Sequence, residues 1–199
     1  GYPWLADDET TRAWVESRGY AGGYPTEFSQ EKSPNISATF AQDATDAKDL
    51  FIVNNWGPDA IDLEAVSADS NPLSITGVNN PRTFTVEEIR AMPQTEFTAF
   101  QNCATNGEGG ALMENIPMKG VPLSYLVEQC GGLVEGTNAM NASGNDGWAA
   151  FPPMDMALDL MYEDCYVVTQ YYGQNLTVDQ GAPLVLVPCG MPGAQWVKH

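Results

Sequence analysis

Four cysteines are the residues best equipped for chemistry in this chain: Cys103, Cys130, Cys165 and Cys189. A thiolate is a nucleophile and a soft metal ligand, and two thiols can also join as a disulfide. No two of the four have CxxC spacing, which sets aside a zinc ribbon and a thioredoxin-type motif. The single histidine, His199, is the last residue. A Ser-His-Asp triad, an HExxH zinc site and a Cys2His2 finger are therefore excluded. Cys165 precedes the strand-like run at 166–172, and Cys189 follows the strand-like run at 183–188. If the runs pair antiparallel, the two cysteines face each other and a Cys165–Cys189 disulfide is expected. Two buried free thiols stand as an equal alternative, because free cysteine is commonly buried.

Charge narrows the partners. The chain has 199 residues, with 26 Asp+Glu against 8 Lys+Arg, a formal charge of -18. Such a surface repels phosphate backbones and anionic lipid, so neither nucleic acid nor a membrane surface is an expected partner. A small-molecule ligand or substrate fits better, with a redox or cell-surface protein partner left open. No run approaches the roughly 18 apolar residues of a transmembrane helix. There is no DxDxDG pattern, which sets calcium aside. The acids are scattered rather than blocked, and 43% of residues are apolar. That composition describes a folded domain with an acidic skin, not a disordered tail. The acidic, Asn- and Gly-rich surface and the even cysteine count suggest an exported bacterial protein, extracytoplasmic, with an export signal removed ahead of Gly1.

The elements that must position these residues can be read in outline. Residues 1–48 are acidic and turn-rich, an expected N-terminal extension packed on the domain, with a short helix at 9–18. The run at 49–56 reads as a buried strand ending in Gly57-Pro58-Asp59. Residues 72–78 alternate as a strand and turn at Asn79-Asn80-Pro81. Thr85, with Glu88 three residues on, forms a capping box that opens a helix stopped by Pro93. Residues 95–103 alternate as a strand that delivers Cys103 to a Gly-rich loop. Pro122 opens and Gly131-Gly132 closes a second helix. Residues 154–164 have the spacing of a third, amphipathic helix. Short strands mixed with short helices, without βαβ alternation, predict an α+β, β-rich mixed domain.

Six segments from residue 49 onward resemble, in order, the molybdopterin-binding domain of the sulfite oxidase family, which includes the catalytic subunit of protein-methionine-sulfoxide reductase. They are FIVNNWGPDAID, PLSITGVNNPRTFTVEEIRAMP, FQNCATN, KGVPLSYLVEQCGG, DGWAAFP and YYGQNLTVDQGAPLVLVPCGMPGAQWVK. The resemblance implies the sulfite oxidase fold over 49–199 and a molybdenum-molybdopterin cofactor, with Cys103 in the position of the metal-ligating, catalytic thiolate. It places Asn55, Asn106 and Lys198 against the pterin, with Trp56, Gln180 and Gly181 lining the same pocket.

The departures are equally specific. The family's Arg-Asn-His reads Asn54-Asn55-Trp56 here, the Arg after the cysteine loop reads Glu108, and His-Gly-x-Pro-x-Arg reads Gln180-Gly181-Ala182-Pro183-Leu184-Val185. Across 49–199 the bases are only Arg82, Arg90, Lys119 and Lys198. Cofactor phosphate is gripped by charge-assisted hydrogen bonds, each worth on the order of 1.5–3 kcal/mol. Two expectations follow. One is a domain that kept the fold, is degenerate at the phosphate site, holds no cofactor and serves binding or structure. The other is an active molybdopterin oxidoreductase acting on a neutral sulfoxide or N-oxide.

Overall fold

A computed structural model describes residues 43–45, 47, 50–51, 72–104, 106, 112–149, 164–177 and 180–199, together with the backbone of 156–157. The expected helix at 9–18 and the body of the expected strand at 49–56 lie outside these residues.

A short hairpin comes first. β1 (Leu73–Ile75) pairs antiparallel with β2 (Arg82–Phe84), Leu73 opposite Phe84. Helix α1 (Val86–Ala91) starts at Thr85, whose hydroxyl accepts from the Glu88 N–H at 3.1 Å while the Glu88 carboxylate accepts from the Thr85 N–H at 2.8 Å. The capping box is present as read. The Thr85 N–H also holds the Glu88 carboxyl below its ordinary value, helped by Arg82. Thr85→Ala is expected to lower stability by about 1 kcal/mol, seen as a drop in urea midpoint, since it strands an N-terminal amide.

The main sheet follows. β3 (Thr95–Asn102) pairs with β4 (Met113–Pro122), β4 with β7 (Cys165–Tyr171), β7 with β9 (Val185–Pro188) and β9 with β10 (Val197–Lys198). A short β8 (Gln174–Asn175) folds back on β7. Every pairing among the described residues is antiparallel. The central strand β7 is buried on both faces, and two cores lie on its two sides. One core joins Val121, Val167 and Val197 to Phe84, Val86 and Ile89 and to α2 (Leu123–Gln129). The other joins Ala99, Ile116, Met118, Val168, Val185, Val187 and Trp196 to Leu50. Glycines at left-handed φ, Gly131 and Gly132, end α2, and Asn79 ties them down through its amide to the Gly131 carbonyl at 2.8 Å.

Three differences from the sequence-based expectations have physical causes. The segment at 154–164 contains a strand, β6 (Met156–Ala157), paired with β5 (Ala139–Met140), where helical spacing suggested a helix. Strand β4 was not anticipated, because it carries Pro117, Glu114 and Lys119. Pro117 is tolerated because its carbonyl, and hence the side where its N–H would lie, faces Tyr172 rather than the β3 ladder. The expected disulfide is absent, and all four cysteines are free thiols. β7 and β9 do pair antiparallel, but Cys165 sits opposite Pro188, and the Cys189 N–H donates to the Asp164 carbonyl. This one-residue offset puts the two side chains on opposite faces of the sheet, Cys165 in one core and Cys189 against the other.

Candidate functional site

Alternation along three strands gathers the candidate residues on one face. On β3, Phe97, Ala99 and Gln101 share the face of Met118, Ile116 and Glu114 on β4, with Gln101 directly opposite Glu114. The ladder runs one pair further, since the Cys103 N–H donates to the Leu112 carbonyl at 3.0 Å. Cys103 therefore stands half-buried at the end of the edge strand, in phase with Gln101 and Glu114. On β10, Lys198 is in phase with Trp196, which belongs to the same core. The turn before β10 folds back across the sheet, and a Cβ on Gly193 would lie 2.9 Å from the Gln101 amide nitrogen and 3.4 Å from the Asn102 carbonyl. The first and last strands of the sheet are thus brought to one place.

Asn106 is brought beside Cys103, but its amide is engaged within the loop. Its nitrogen donates to the Asn102 side-chain oxygen at 3.2 Å, its oxygen accepts from the Leu112 N–H at 3.1 Å, and its own N–H donates to the Cys103 carbonyl. The side chain thus braces the turn that carries the thiol. Gln180 is likewise engaged, its oxygen accepting from the Thr177 N–H at 3.0 Å. Gly181 and Lys198 are brought together. Gly181 has φ +105°, and a Cβ there would lie 2.9 Å from the Lys198 Cβ, so a side chain would displace the lysine. Asn55 and Trp56 lie outside the described residues.

Two groups not anticipated from the sequence sit here. Glu114 is 3% exposed, and its carboxylate accepts from the Phe51 N–H at 2.9 Å. Burial pushes this carboxyl up to about 8, against the Phe51 N–H and the Lys198 charge, which favour ionisation. Its signal in the sequence was the phase it shares with Ile116 and Met118, a charged residue on a core face. His199 is held by the Ala182 carbonyl at 2.7 Å from Nδ1, and burial keeps its imidazole below the ordinary value.

Among the thiols, burial raises Cys130, and pushes Cys165 up to about 12 and Cys189 up to about 11. A thiol raised by burial makes a poor ligand and nucleophile. Cys103 lies half-buried at a strand end, on a loop braced by Asn106, and is the thiol that could hold a metal. Among the described residues no group of three His, Cys, Asp or Glu side chains is placed to hold one.

Residues 60–199 match the model of the oxidoreductase molybdopterin binding domain. The chain belongs to this family. Its fold is that of the sulfite oxidase-like members. The sulfane dehydrogenase SoxCD from Paracoccus pantotrophus superposes with a TM-score of 0.60 at 26% identity, over 70% of this chain and 38% of that one. Curated relatives include NADH nitrate reductase 2 of Phaseolus vulgaris, 26% identical over 175 residues, covering 75% of this chain and 19% of that protein. Another is the NADH nitrate reductase clone PBNBR1412 of Brassica napus, 30% identical over 152 residues, covering 63% of this chain and 17% of that protein. The chain spans less than a quarter of the length of these nitrate reductases.

Among the described residues, the chemistry of Cys103 fits the metal end of the cofactor. Cys103 offers a soft sulfur donor. Of the described cations, Arg82 pairs with Glu88 at 3.1 Å and covers the Phe84 ring, and Lys119 faces Glu96 at 3.5 Å on the other side of the sheet. On the face that Cys103 joins, the chargeable side chains described include Lys198, Tyr171 and the buried carboxyl of Glu114.

Proposed function

We propose that this chain is the molybdopterin-type domain of an exported bacterial protein whose pocket is degenerate at the phosphate end, and that it acts as a binding or structural domain for a small molecule. The observation that supports this is the shortage of bases: 49–199 holds only Arg82, Arg90, Lys119 and Lys198, and of these Arg82 and Lys119 are paired with carboxylates. The extracytoplasmic, bacterial assignment rests on the acidic surface and composition.

A second reading, an active molybdopterin oxidoreductase, is favoured by the placement of Cys103. Its substrate would be neutral, a sulfoxide or N-oxide, because a chain of charge -18 opposes an oxyanion.

Metal analysis separates the two. In a host with cofactor biosynthesis intact, purified protein is expected to carry molybdenum far below one atom per chain, at a level unchanged by Cys103→Ser. Near-stoichiometric molybdenum that disappears in Cys103→Ser overturns the binding-domain reading and establishes the enzyme.

A further inference from the structure

The open edge of β4 beyond its pairing with β7 is occupied by residues from far upstream. The Thr45 N–H donates to the Asn115 carbonyl at 2.8 Å, the Asn115 N–H donates to the Thr45 hydroxyl at 2.9 Å, and the Tyr172 hydroxyl donates to the Thr45 carbonyl. A few residues on, Leu50 and Phe51 lie 2% and 7% exposed, Leu50 in the core formed with Ile116 and Trp196. Here the tie to the sheet is of another kind, from the Phe51 N–H to the Glu114 carboxylate.

We propose that Glu114 is a proton-operated latch: its protonated carboxyl keeps Leu50 and Phe51 seated on the site face, and loss of the proton releases them. An ionised carboxylate accepts the Phe51 N–H more strongly, but one N–H does not replace the water that burial removes. The charge regains water by shedding the cover that is least tied down. On its other sides Glu114 has the continuous ladder of β3 and β4 and the doubly buried β7, which pairs with β4 over Met118–Pro122. Leu50 and Phe51 have no strand partner among the described residues. Two groups face the carboxyl from neighbouring elements. Lys198 of β10 favours its ionised form, and the Tyr171 hydroxyl of β7 is itself held neutral by burial and by Glu114. Gln101, opposite on β3, is neutral.

Burial pushes Glu114 up to about 8, so the latch is closed at neutral pH and loosens in mild alkali. Release would uncover the face that Cys103 and Lys198 share. The inference is independent of whether that face holds a cofactor.

Hydrogen exchange on the intact chain tests it. After correction for intrinsic rates, protection of the Phe51 amide is expected to fall on the order of 50-fold between pH 6 and pH 8.5, while the β7 amides stay protected. In Glu114→Gln, which keeps an acceptor but cannot ionise, the fall is expected to be under about threefold. Lys198→Met removes the charge that favours ionisation and should move the transition upward by about one pH unit. Constant Phe51 protection, equal loss from Phe51 and β7, or the same fall in Glu114→Gln would each overturn the latch. Should Glu114→Gln fail to fold, an unmoved transition in Lys198→Met overturns it instead.

Discussion

Glu114→Gln is expected to make the domain more stable at pH 8 and to remove most of the stability it loses between pH 5 and pH 8. The native carboxyl titrates at about 8 and the unfolded one near its ordinary 4.5. Between those values the native state keeps a proton that the unfolded state has lost. Stability from this group is therefore complete below the unfolded value, and it drains away as pH rises towards and through 8. Linkage gives a loss of about 3 kcal/mol between pH 5 and pH 8, an order-of-magnitude figure for a group buried this deeply. Self-repulsion in a chain of charge -18 acts in the same direction, so the wild-type slope alone proves nothing. The difference between wild type and Glu114→Gln isolates the carboxyl, because glutamine keeps an acceptor for the Phe51 N–H. Urea unfolding at the two pH values measures it. Parallel pH profiles for the two proteins would show that Glu114 ionises freely in the fold.

A buried acid on a core face shows how far the sequence could be read. Local signals were legible. Thr85 and Glu88 are three residues apart, and their capping box needs nothing beyond the helix it opens. The alternation in β3 was readable for the same reason, and it placed Cys103 at a strand end. Non-local pairing was less legible. The direction of β7 against β9 could be inferred from two apolar runs, but their register could not. A one-residue offset was enough to send Cys165 and Cys189 to opposite faces. Met156–Ala157 is a strand because Ala139–Met140 lies alongside it, a contact that helical spacing cannot report.

The site follows the same division. The resemblance pointed to Cys103, Asn106, Gln180, Gly181 and Lys198 as a group. Loop closure then engaged the Asn106 and Gln180 amides internally, through partners that no motif encodes. Glu114 was passed over because β4 was, and β4 was passed over because Pro117 and Lys119 break its pattern. The scarcity of bases was legible from composition alone. The fold adds that Arg82 and Lys119 are paired with carboxylates away from the Cys103 face.

Gly120→Ala is expected to damage the fold at a point on which this geometry depends. A Cβ at Gly120 would lie 2.7 Å from the Val167 carbonyl oxygen, 2.9 Å from the Val168 Cα and 3.1 Å from the Val167 carbonyl carbon. All three are backbone atoms of the central strand, and no rotamer change moves them aside. Gly120 also borders a bulge, since Lys119 faces Gln170 while Gly120 faces Val168, leaving Thr169 as the extra residue. The buried Thr169 hydroxyl donates to the Gln94 side-chain oxygen at 2.8 Å, and the Gln94 amide donates to the Ile89 carbonyl at 3.0 Å at the end of α1. A methyl group at Gly120 would push β4 from β7 and strain that chain of contacts as well. Overpacking of this kind is expected to lower stability by roughly 3 kcal/mol, a fall in melting temperature on the order of 10 °C. Gly77→Ala is the control. Gly77 has φ +73° and open space around it, so alanine there should cost only about 1 kcal/mol in backbone strain. Equal losses in the two variants would mean that β4 and β7 separate without penalty, and that the bulge does not fix the register of β4 against β7.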